Sequence, residues 1–238
     1  RCSPRRLIPE RLANPVETVR WNTDKRYLLE LSQAGVPVVP TRFVSPGADA
    51  SMELMRFLDG GAGSLTYGHA AEFTDFVVKP VIGAASRDAA RYARVDGTAA
   101  LAHLARLLET GRQTMLQPYL DRVDAHGETA VIFFDGVLSH SVRKGALLKR
   151  GARLVSGLFA PERITPREID EAERGVAVAT LHAIPFGVPL YARVDLIRGD
   201  NGAPVVLELE LTEPSLFFAQ AAGSADRLAA AIIARSRD

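Results

Sequence analysis

The sequence is poor in cysteine, in histidines with metal-binding spacing and in long apolar runs, and each shortage excludes a class of protein. Cys2 is the only cysteine among 238 residues, so the chain forms no disulfide framework and no cysteine-based zinc site. The five histidines show no spacing such as HxxxH. No apolar run approaches the roughly 20 residues that a membrane span needs. These shortages predict a cytoplasmic protein with no membrane partner.

An excess of charge of one sign is also missing. The chain carries 29 basic and 28 acidic residues, a formal net charge of +1 at pH 7, and this balance predicts no nucleic-acid partner. With 47% hydrophobic and 24% charged residues, the composition is that of a globular protein with an ample core. The sequence starts at Arg1 and not at Met, and residues 1–21 are basic and weakly periodic, which predicts the trailing segment of an upstream domain.

The pattern of apolar residues predicts helices and hairpins in mixed order, without regular βαβ alternation, and therefore an α+β fold. One helix is predicted from about Thr23 to Ala34, with Thr23 as its cap and Gly35 at its end. Another is predicted over Thr165–Ile184, with Thr165 as its cap and Glu168 three residues on. The other predicted elements are helices at 49–59, 98–109 and 225–236, strands at Asp75–Val81, near Tyr92 and at Thr114–Leu120, and a hairpin at Gly127–Lys144 that turns at Asp135-Gly136.

The stretch YARVDLIRGDNGAPVVLELELTEPS, residues 191–215, predicts a second hairpin. Asn201-Gly202 is a strong signal for a two-residue type I′ turn, in which both central residues have a positive φ. A turn at this position places Asp200 opposite Ala203, and that pairing fixes the partner of every residue along the two strands.

In that register three carboxylates share one face of the hairpin. Asp195 lies opposite Glu208 and Arg193 lies opposite Glu210, and the alternation of side chains along a strand puts all four on the same side. Carboxylates directly opposite each other repel, and a bound cation would remove that cost. The alternative is a solvated outer face with a single ion pair between Arg193 and Glu210.

Lys79 stands inside a predicted strand, where a lysine is unusual and needs a partner. The loop of small residues that follows contains Gly83 and Ser86 and ends at Arg87, so backbone N–H groups and a guanidinium could approach an anion there. The combination is consistent with a phosphate site, although no Walker A sequence follows. The alternative is an ordinary turn after a lysine that extends to water from a strand end.

Two further lysines fit the same interpretation. Lys25 lies in the first turn of a predicted helix, where its charge opposes the helix dipole unless an anion is close. Lys144 ends a predicted strand beside Arg143 and adds positive charge. The alternative for both lysines is a solvated surface position.

The order of these segments resembles the ATP-grasp superfamily. The resemblance rests on DK followed by AGVPVVPT, FVVKP with its small-residue loop, LQPYL, GETAVIFF and ARVDL…LELELTEPS, and it covers nearly everything from Trp21 onward. It implies an ATP-grasp domain over residues 22–238, in which two α+β subdomains at about 22–116 and 117–238 clamp ATP. It also implies an N-terminal domain that is largely absent before Arg1.

The resemblance implies a role for each of the candidate residues. The implied catalytic residues are Arg193, Lys144 and Arg87. The implied ligands of magnesium, or of manganese in its place, are Asp195, Glu208 and Glu210. The implied contacts to ATP, with the hinge against adenine at 117–120 and the ribose contact at 128, are Lys25, Lys79, Gly83, Ser86, Gln117, Tyr119, Leu120 and Glu128.

Two positions depart from the pattern of the superfamily. The adenine hinge often begins with Glu-Lys, whereas this chain has Gln117-Pro118 and therefore lacks one lysine donor to the purine. The last metal ligand is often Asn, whereas this chain has Glu210, which makes the site more acidic and still suits magnesium.

The resemblance implies an ATP-dependent ligase. ATP would phosphorylate a small amino-acid-like carboxylate, and an amine would then displace phosphate, so that no protein nucleophile is needed. The segments RWNTDKRYL and LELELTEPS are most similar to small-molecule ligases of secondary metabolism, which include ring closure of O-ureido-D-serine to D-cycloserine in antibiotic biosynthesis. The alternatives are a two-substrate amide or peptide ligase, a kinase-like enzyme that stops at phosphorylation, and a nucleotide-binding subunit without catalysis. A homo-oligomer is compatible with each of them.

Overall fold

The computed structural model describes residues 12–60, 73–83, 87–145 and 163–236, and two antiparallel sheets organise them. The strands of the first sheet are β1 (Arg42–Val44), β2 (Asp75–Pro80), β3 (Ala90–Ala93) and β4 (Thr114–Pro118), in the spatial order β1-β4-β2-β3. The strands of the second sheet are β5 (Glu128–Phe134), β6 (Val137–Lys144), β7 (Ile164–Pro166), β8 (Tyr191–Arg198) and β9 (Pro204–Glu210), in the order β7-β6-β5-β8-β9.

Helices cover both sheets, and the mixture confirms the predicted α+β class. They are α1 (Val16–Thr23), α2 (Tyr27–Gln33), α3 (Ala50–Leu58), α4 (Gly97–Glu109), α5 (Arg122–His126), α6 (Glu171–His182) and α7 (Ser224–Arg235), with a short 3-10 helix at Phe218–Gln220. Within the described ranges, none of these helices has the length and the apolar content needed to cross a bilayer.

Three apolar layers hold the sheets in place. The outer layer of the first sheet packs β2 and β4 against α3 and α4 through Phe76, Val78, Leu104 and Leu116. The central layer packs α2 and α6 on the second sheet and includes Met115 of β4, so both sheets share it. Each large apolar side chain buried in these layers stabilises the fold by about 1.5–3 kcal/mol.

The third layer lies on the opposite face of the second sheet and covers only part of it. Here α7 and the segment before it pack Leu216, Phe217 and Leu228 over Ile132 and Phe134 of β5. The remainder of this face carries charged side chains, and it is the location of the candidate site.

The helix predicted from Thr23 to Ala34 starts later than expected. Its first residue is the end of α1, and a second helix, α2, covers most of the rest of the range. Thr23 ends α1, and Asp24 takes an extended conformation with φ −100° and ψ 111°. The backbone N–H of Lys25 donates to the carbonyl oxygen of Val81 at 3.3 Å and not to a helical partner. Lys25 therefore lies in a bend between the helices, and α2 begins at Tyr27.

The predicted cap of the helix at Thr165–Ile184 was also wrong. Thr165 lies in β7, where it pairs with Arg143 of β6. The helix begins after Asp170, whose carboxylate accepts from the backbone N–H of Glu173 at 2.8 Å, and Glu173 bonds back to complete a capping box. Pairing of residues 164–166 with β6 removes Thr165 from the helix.

The hairpin of β8 and β9 turns one residue differently from the prediction. Gly199, and not Asp200, lies opposite Ala203, with a bond of 2.8 Å between the N–H and the carbonyl oxygen. Gly202 has a positive φ of 80°, but Asn201 does not, so the turn is not type I′. A β-bulge at Leu207 then adds one residue to β9 and restores the predicted register beyond it.

Candidate active site

Two cross-strand pairs place four charged side chains on one face of β8 and β9. Asp195 pairs with Glu208 and Arg193 with Glu210, as the sequence predicts. This face is continuous with Glu128 of β5 and Lys144 of β6, which pair with each other. The alternative of a solvated outer face is wrong for Asp195 and Arg193, because these side chains are 2% and 6% exposed.

Asp195 is the centre of this cluster. Arg193 donates to both of its carboxylate oxygens, at 2.8 and 2.9 Å, and Lys144 donates to it at 3.0 Å and to Glu128 at 2.8 Å. Burial alone would raise the pKa of Asp195, but the positive charges of Arg193 and Lys144 hold it below its usual value. Asp195 therefore stays ionised, and both cations are held in fixed positions.

Gly127 allows β5 and β6 to approach closely where this cluster begins. Its φ is 71°, and a Cβ atom at this position would lie 2.3 Å from the carbonyl oxygen of Lys144. A larger residue would push apart the strand ends that carry Glu128 and Lys144. The close approach of the two backbones thus sets the spacing of this ion pair.

Glu208 of the second sheet forms an ion pair with Lys25, which in turn contacts the loop that follows β2 of the first sheet. Lys25 lies 3.1 Å from its carboxylate and also donates to the carbonyl oxygen of Gly83 at 2.8 Å. Burial would raise the pKa of Glu208, but Lys25 and Lys79 lower it below the usual value. An anion does lie close to Lys25, and it is the carboxylate of Glu208.

Lys79 faces the second sheet and does not extend away from it. It lies opposite Met115, a residue of the central core, so both side chains point to the same side of the first sheet. Burial and the nearby charge of Lys25 lower the pKa of Lys79, while Glu208 and Glu128 oppose that shift. Lysines from two separate segments thus converge on one carboxylate.

Glu210 differs from the other carboxylates. Its side chain is 30% exposed and pairs with Arg193, which also donates to the carbonyl oxygen of Ser215 at 3.3 Å. Burial raises the pKa of Glu210 to about 7, and Asp195 and Glu208 add to this shift against the opposing charge of Arg193. Of the three predicted metal ligands, Glu210 is therefore the one that is protonated most easily.

The predicted hinge at 117–120 spans the end of β4 and the turn before α5. The side-chain amide of Gln117 donates to the hydroxyl of Thr41 at 2.8 Å and is buried there. The hydroxyl of Tyr119 donates to Asp124 at 2.5 Å, and its ring lies under the guanidinium of Arg91, 3.4 Å from the guanidinium carbon to the ring centroid. Leu120 packs in a small apolar cluster with Val39, Val123 and Ile197.

The loop after β2 is only partly described. Gly83 contacts Lys25 as above, Arg87 is exposed, and Ser86 lies outside the described residues. The predicted phosphate loop therefore has its two ends in the structure, on the side of the cluster that holds Lys25 and Lys79.

The donor set fits a hard divalent cation. Asp195, Glu208 and Glu210 supply carboxylate oxygens from one face of the hairpin, which is the chemistry that magnesium prefers. Within the part of the chain that the structure describes, no three acidic, histidine or cysteine side chains are arranged as a metal cluster. The carboxylates instead point to Arg193, Lys144 and Lys25, so metal ligation remains a prediction.

Several residues around the site escaped the sequence-based prediction. Arg91 pairs with the buried Asp75 at 2.6 Å in addition to its contact with Tyr119. Asn22 and Tyr27 donate to the backbone of β9 next to the carboxylates. Their partners lie far away in sequence, and no local pattern marks them.

The comparisons with known proteins agree with this geometry. The chain is 44% identical over 231 residues to the cycloserine biosynthesis protein DcsG of Streptomyces lavendulae. The aligned region covers 94% of this chain and 73% of that protein. The crystal structure of D-cycloserine synthetase DcsG matches with a TM-score of 0.85 and 42% identity, over 94% of this chain and 74% of that one. No protein-family model matches the chain.

More distant structures share the fold. D-alanine–D-alanine ligase from Bacillus anthracis matches with a TM-score of 0.65 and 18% identity, over 92% of this chain and 69% of that one. The ATP-grasp ligase PsnB matches with a TM-score of 0.62 and 20% identity, over 93% and 63%. The chain belongs to the ATP-grasp ligases, which confirms the predicted superfamily, fold and enzyme class. Among these relatives, its sequence identity is highest to DcsG.

Proposed function

We propose that this protein activates a small amino-acid-like carboxylate with ATP and closes a ring by attack of an amine in the same molecule, as in the conversion of O-ureido-D-serine to D-cycloserine. The observation that carries the proposal is the 44% identity to the cycloserine biosynthesis protein over 94% of the chain. The buried cluster of alternating charges between the sheets supports it, because phosphoryl transfer depends on positioning and electrostatic stabilisation.

In this proposal ATP lies between the two sheets. Lys25 and Lys79 would contact its phosphates, with Gly83, Ser86 and Arg87 closing over them. The base would lie against the hinge at 117–120 and the ribose against Glu128. The convergence of Lys25 and Lys79 on Glu208 supports a location for the phosphates beside that carboxylate.

Asp195, Glu208 and Glu210 would hold Mg²⁺, with Mn²⁺ as an alternative. When bound, the metal supplies positive charge that neutralises the oxygens of the transferred phosphoryl group. The chain itself keeps Asp195 ionised through Arg193 and Lys144. Both cations are buried and fixed by hydrogen bonds, so they can stabilise developing negative charge with little reorganisation.

The proposed reaction has three steps. A carboxylate oxygen of the substrate attacks the γ-phosphorus and ADP leaves, which gives an acyl phosphate. A nitrogen of the same molecule, which in O-ureido-D-serine is the ureido nitrogen bonded to oxygen, then attacks the acyl carbon, the C–O bond breaks with its electrons on phosphate, and the nitrogen loses a proton. To give D-cycloserine, water removes the carbamoyl group from that nitrogen, with release of carbon dioxide and ammonia. Holding both groups in one molecule removes the need for a second acceptor site.

The decisive experiment incubates the protein with ATP, magnesium and O-ureido-D-serine and follows ADP and product by mass spectrometry. Cyclised product without an added amine supports ring closure. ADP release only in the presence of a separate amino acid would identify a two-substrate ligase, and phosphorylated substrate without ring closure would identify a kinase-like enzyme. ATP binding without any turnover would identify a nucleotide-binding subunit. The cytoplasmic location and a homo-oligomeric state remain predictions from the sequence.

A further inference from the structure

Among the described residues, side chains and not a further strand bond to the outer edge of β9 along its carboxylate-bearing part. β9 is the last strand of the second sheet. Such an edge exposes N–H and C=O groups that need partners when they are buried. Near the start of β9, Val206 bonds to the backbone of Pro37 and Val39 at 2.8 and 2.9 Å. Further along, where Glu208 and Glu210 lie, the partners are side chains that precede the first sheet.

Leu209, the residue between the two glutamates, is held at both of its backbone groups. Its N–H donates to the hydroxyl of Tyr27 at 2.9 Å, and that hydroxyl donates to its carbonyl oxygen at 3.0 Å. The amide of Asn22 donates to the same carbonyl oxygen at 2.7 Å. Tyr27 and Asn22 are 1% and 8% exposed, so these bonds are protected from water.

Asn22 also holds the residue after Glu210. Its side-chain oxygen accepts from the N–H of Leu211 at 2.8 Å. A single amide group thus reproduces the donor and acceptor of a neighbouring strand at Leu209 and Leu211. The backbone is fixed on both sides of Glu210 and directly after Glu208.

A strand with fixed backbone at alternate residues also has fixed side-chain directions at the residues between them. Leu209 and Leu211 point into the core, so Glu208 and Glu210 point to the opposite face, toward Lys25 and Arg193. We propose that Asn22 and Tyr27 are positioning residues for the carboxylates that bind the metal. This inference rests on the proposed function, because it assumes that Glu208 and Glu210 are ligands.

Asn14 provides a matched control. It is 1% exposed and bonds in the same manner to the carbonyl oxygens of Leu211 and Tyr191, at 2.7 and 3.0 Å, and to the N–H of Leu190 at 2.7 Å. These bonds lie beyond Glu210 at the end of the hairpin. Asn14→Ala therefore removes a buried side-chain amide with similar bonds to the backbone, while the hydrogen bonds of Leu209 stay intact.

The experiment compares Tyr27→Phe, Asn22→Ala and Asn14→Ala with the unmodified chain. Tyr27→Phe keeps the ring that packs on Trp21 and loses only the hydroxyl, so it stays informative if Asn22→Ala does not fold. One readout is the Mg²⁺ concentration that gives half-maximal ADP release. A second is the affinity for Mn²⁺ in the presence of ADP, measured by electron paramagnetic resonance without turnover. A third is hydrogen exchange at the amides of Leu209 and Leu211.

We expect Tyr27→Phe and Asn22→Ala to weaken Mn²⁺ binding and raise the required Mg²⁺ about tenfold or more, as for other residues that orient metal ligands. Amide exchange at Leu209 should accelerate in both variants, whereas Asn14→Ala should leave metal affinity unchanged. Metal affinity in Tyr27→Phe equal to that of the unmodified chain, or an equal loss in Asn14→Ala, would overturn the inference. An unmodified chain that binds no Mn²⁺ with ADP would instead contradict the metal site of the proposed function.

Discussion

One face of the second sheet carries two regions that differ in how they are covered. The charged end holds buried ion pairs, and its members are Glu128, Lys144, Arg193, Asp195, Glu208 and Glu210. The apolar end lies under α7, and its members are Ile132, Phe134, Val142, Leu216, Phe217 and Leu228. Both ends are built on the same strands. The difference shows that one sheet face can carry a buried charged cluster and an apolar core side by side, because the strand residues and their cover change together along it.

The two ends are joined by the segment that follows β9. The carbonyl oxygen of Ser215 accepts from Arg193 at the charged end, and the carbonyl oxygen of Leu216 lies 2.9 Å from Nε2 of His140 at the apolar end. Phe217 adopts a φ of 51°, which is uncommon for a residue with a side chain, and its ring lies 5.6 Å from the guanidinium of Arg193. Packing at the apolar end thus fixes the segment at 215–217 that contacts Arg193 at the charged end.

The largest expected effect is a loss of activity, without a loss of stability, in a variant of the charged end. Glu208→Gln removes one negative charge and a proposed metal ligand while keeping the side-chain shape, so turnover should fall below detection, a loss of about 100-fold or more. The melting temperature should change little, because the Glu208 side chain is 28% exposed. Kinetics of ADP release and circular dichroism measure the two quantities. Glu171→Gln, at a 91% exposed side chain, is the control, and near-normal turnover of Glu208→Gln would contradict the metal site.

The reverse result is expected at the apolar end. Phe134 is 4% exposed and stacks on Phe218, so Phe134→Ala should lower the free energy of unfolding by about 3–5 kcal/mol. The Mg²⁺ requirement of the molecules that remain folded should stay close to normal. Urea unfolding measures the loss, with Val137→Ala at a 70% exposed position as the control. A loss of activity without a loss of stability would show that the two ends are not separable.

A third variant tests the first sheet's contribution to the charged end. Lys79→Ala removes a cation that faces Glu208, and a charge-assisted contact is worth about 1.5–3 kcal/mol. ATP should therefore bind roughly tenfold or more weakly, as measured by calorimetry. Arg174→Ala on the exposed side of α6 should bind ATP normally. Unchanged affinity in Lys79→Ala would exclude this lysine from the phosphate site.

The smallest expected effect is a loss of stability at acid pH caused by His103. It limits the pH range in which variants of the two ends can be compared. His103 bonds to Tyr92, and burial, together with Arg106 and Arg112 and against Asp88, lowers its pKa to about 4. Because the unfolded chain binds this proton near pH 6.5, the contribution of His103 to stability should be constant above that pH and fall as the pH drops toward 4. The expected loss from His103 at pH 5.5 is about 1 kcal/mol.

Thermal melts of the unmodified chain and of His103→Gln at pH 7.5 and 5.5 measure this loss. The variant does not titrate and can keep a hydrogen bond to Tyr92, so its acid-dependent loss should be smaller. An equal loss in both proteins would assign the acid sensitivity to other groups.

The sequence predicts the pairing at the charged end because alternation and register depend on neighbouring residues. Asp195 and Glu208 lie opposite each other as expected, although Gly199 replaces Asp200 as the partner of Ala203. The bulge that compensates for this shift follows Val206, which bonds to the segment at 37–39. That contact is remote in sequence, so no local pattern could reveal it.

Other features could not be predicted from the sequence, because only contacts between distant parts of the folded chain determine them. Thr165 with Glu168 and Asp170 with Glu173 are both capping patterns, and pairing of β7 with β6 decides between them. Asn22 bonds to residues more than 180 positions away, so its role has no signature in its own segment. The resemblance to ATP-grasp proteins identified the segment RWNTDKRYL but not the reason for its asparagine.

The bulge at Leu207 has a consequence for engineering of the chain. The connection between Gly199 and Ala203 is separated from the pair of Asp195 and Glu208 by the bulge and by the paired residues 196–198 and 204–206. From outside the hairpin, Arg122 donates to the carbonyl oxygen of Asp200 at the tip, at 3.2 Å. This connection is therefore a suitable point for inserting an affinity tag or a fluorescent peptide while the carboxylates keep their places.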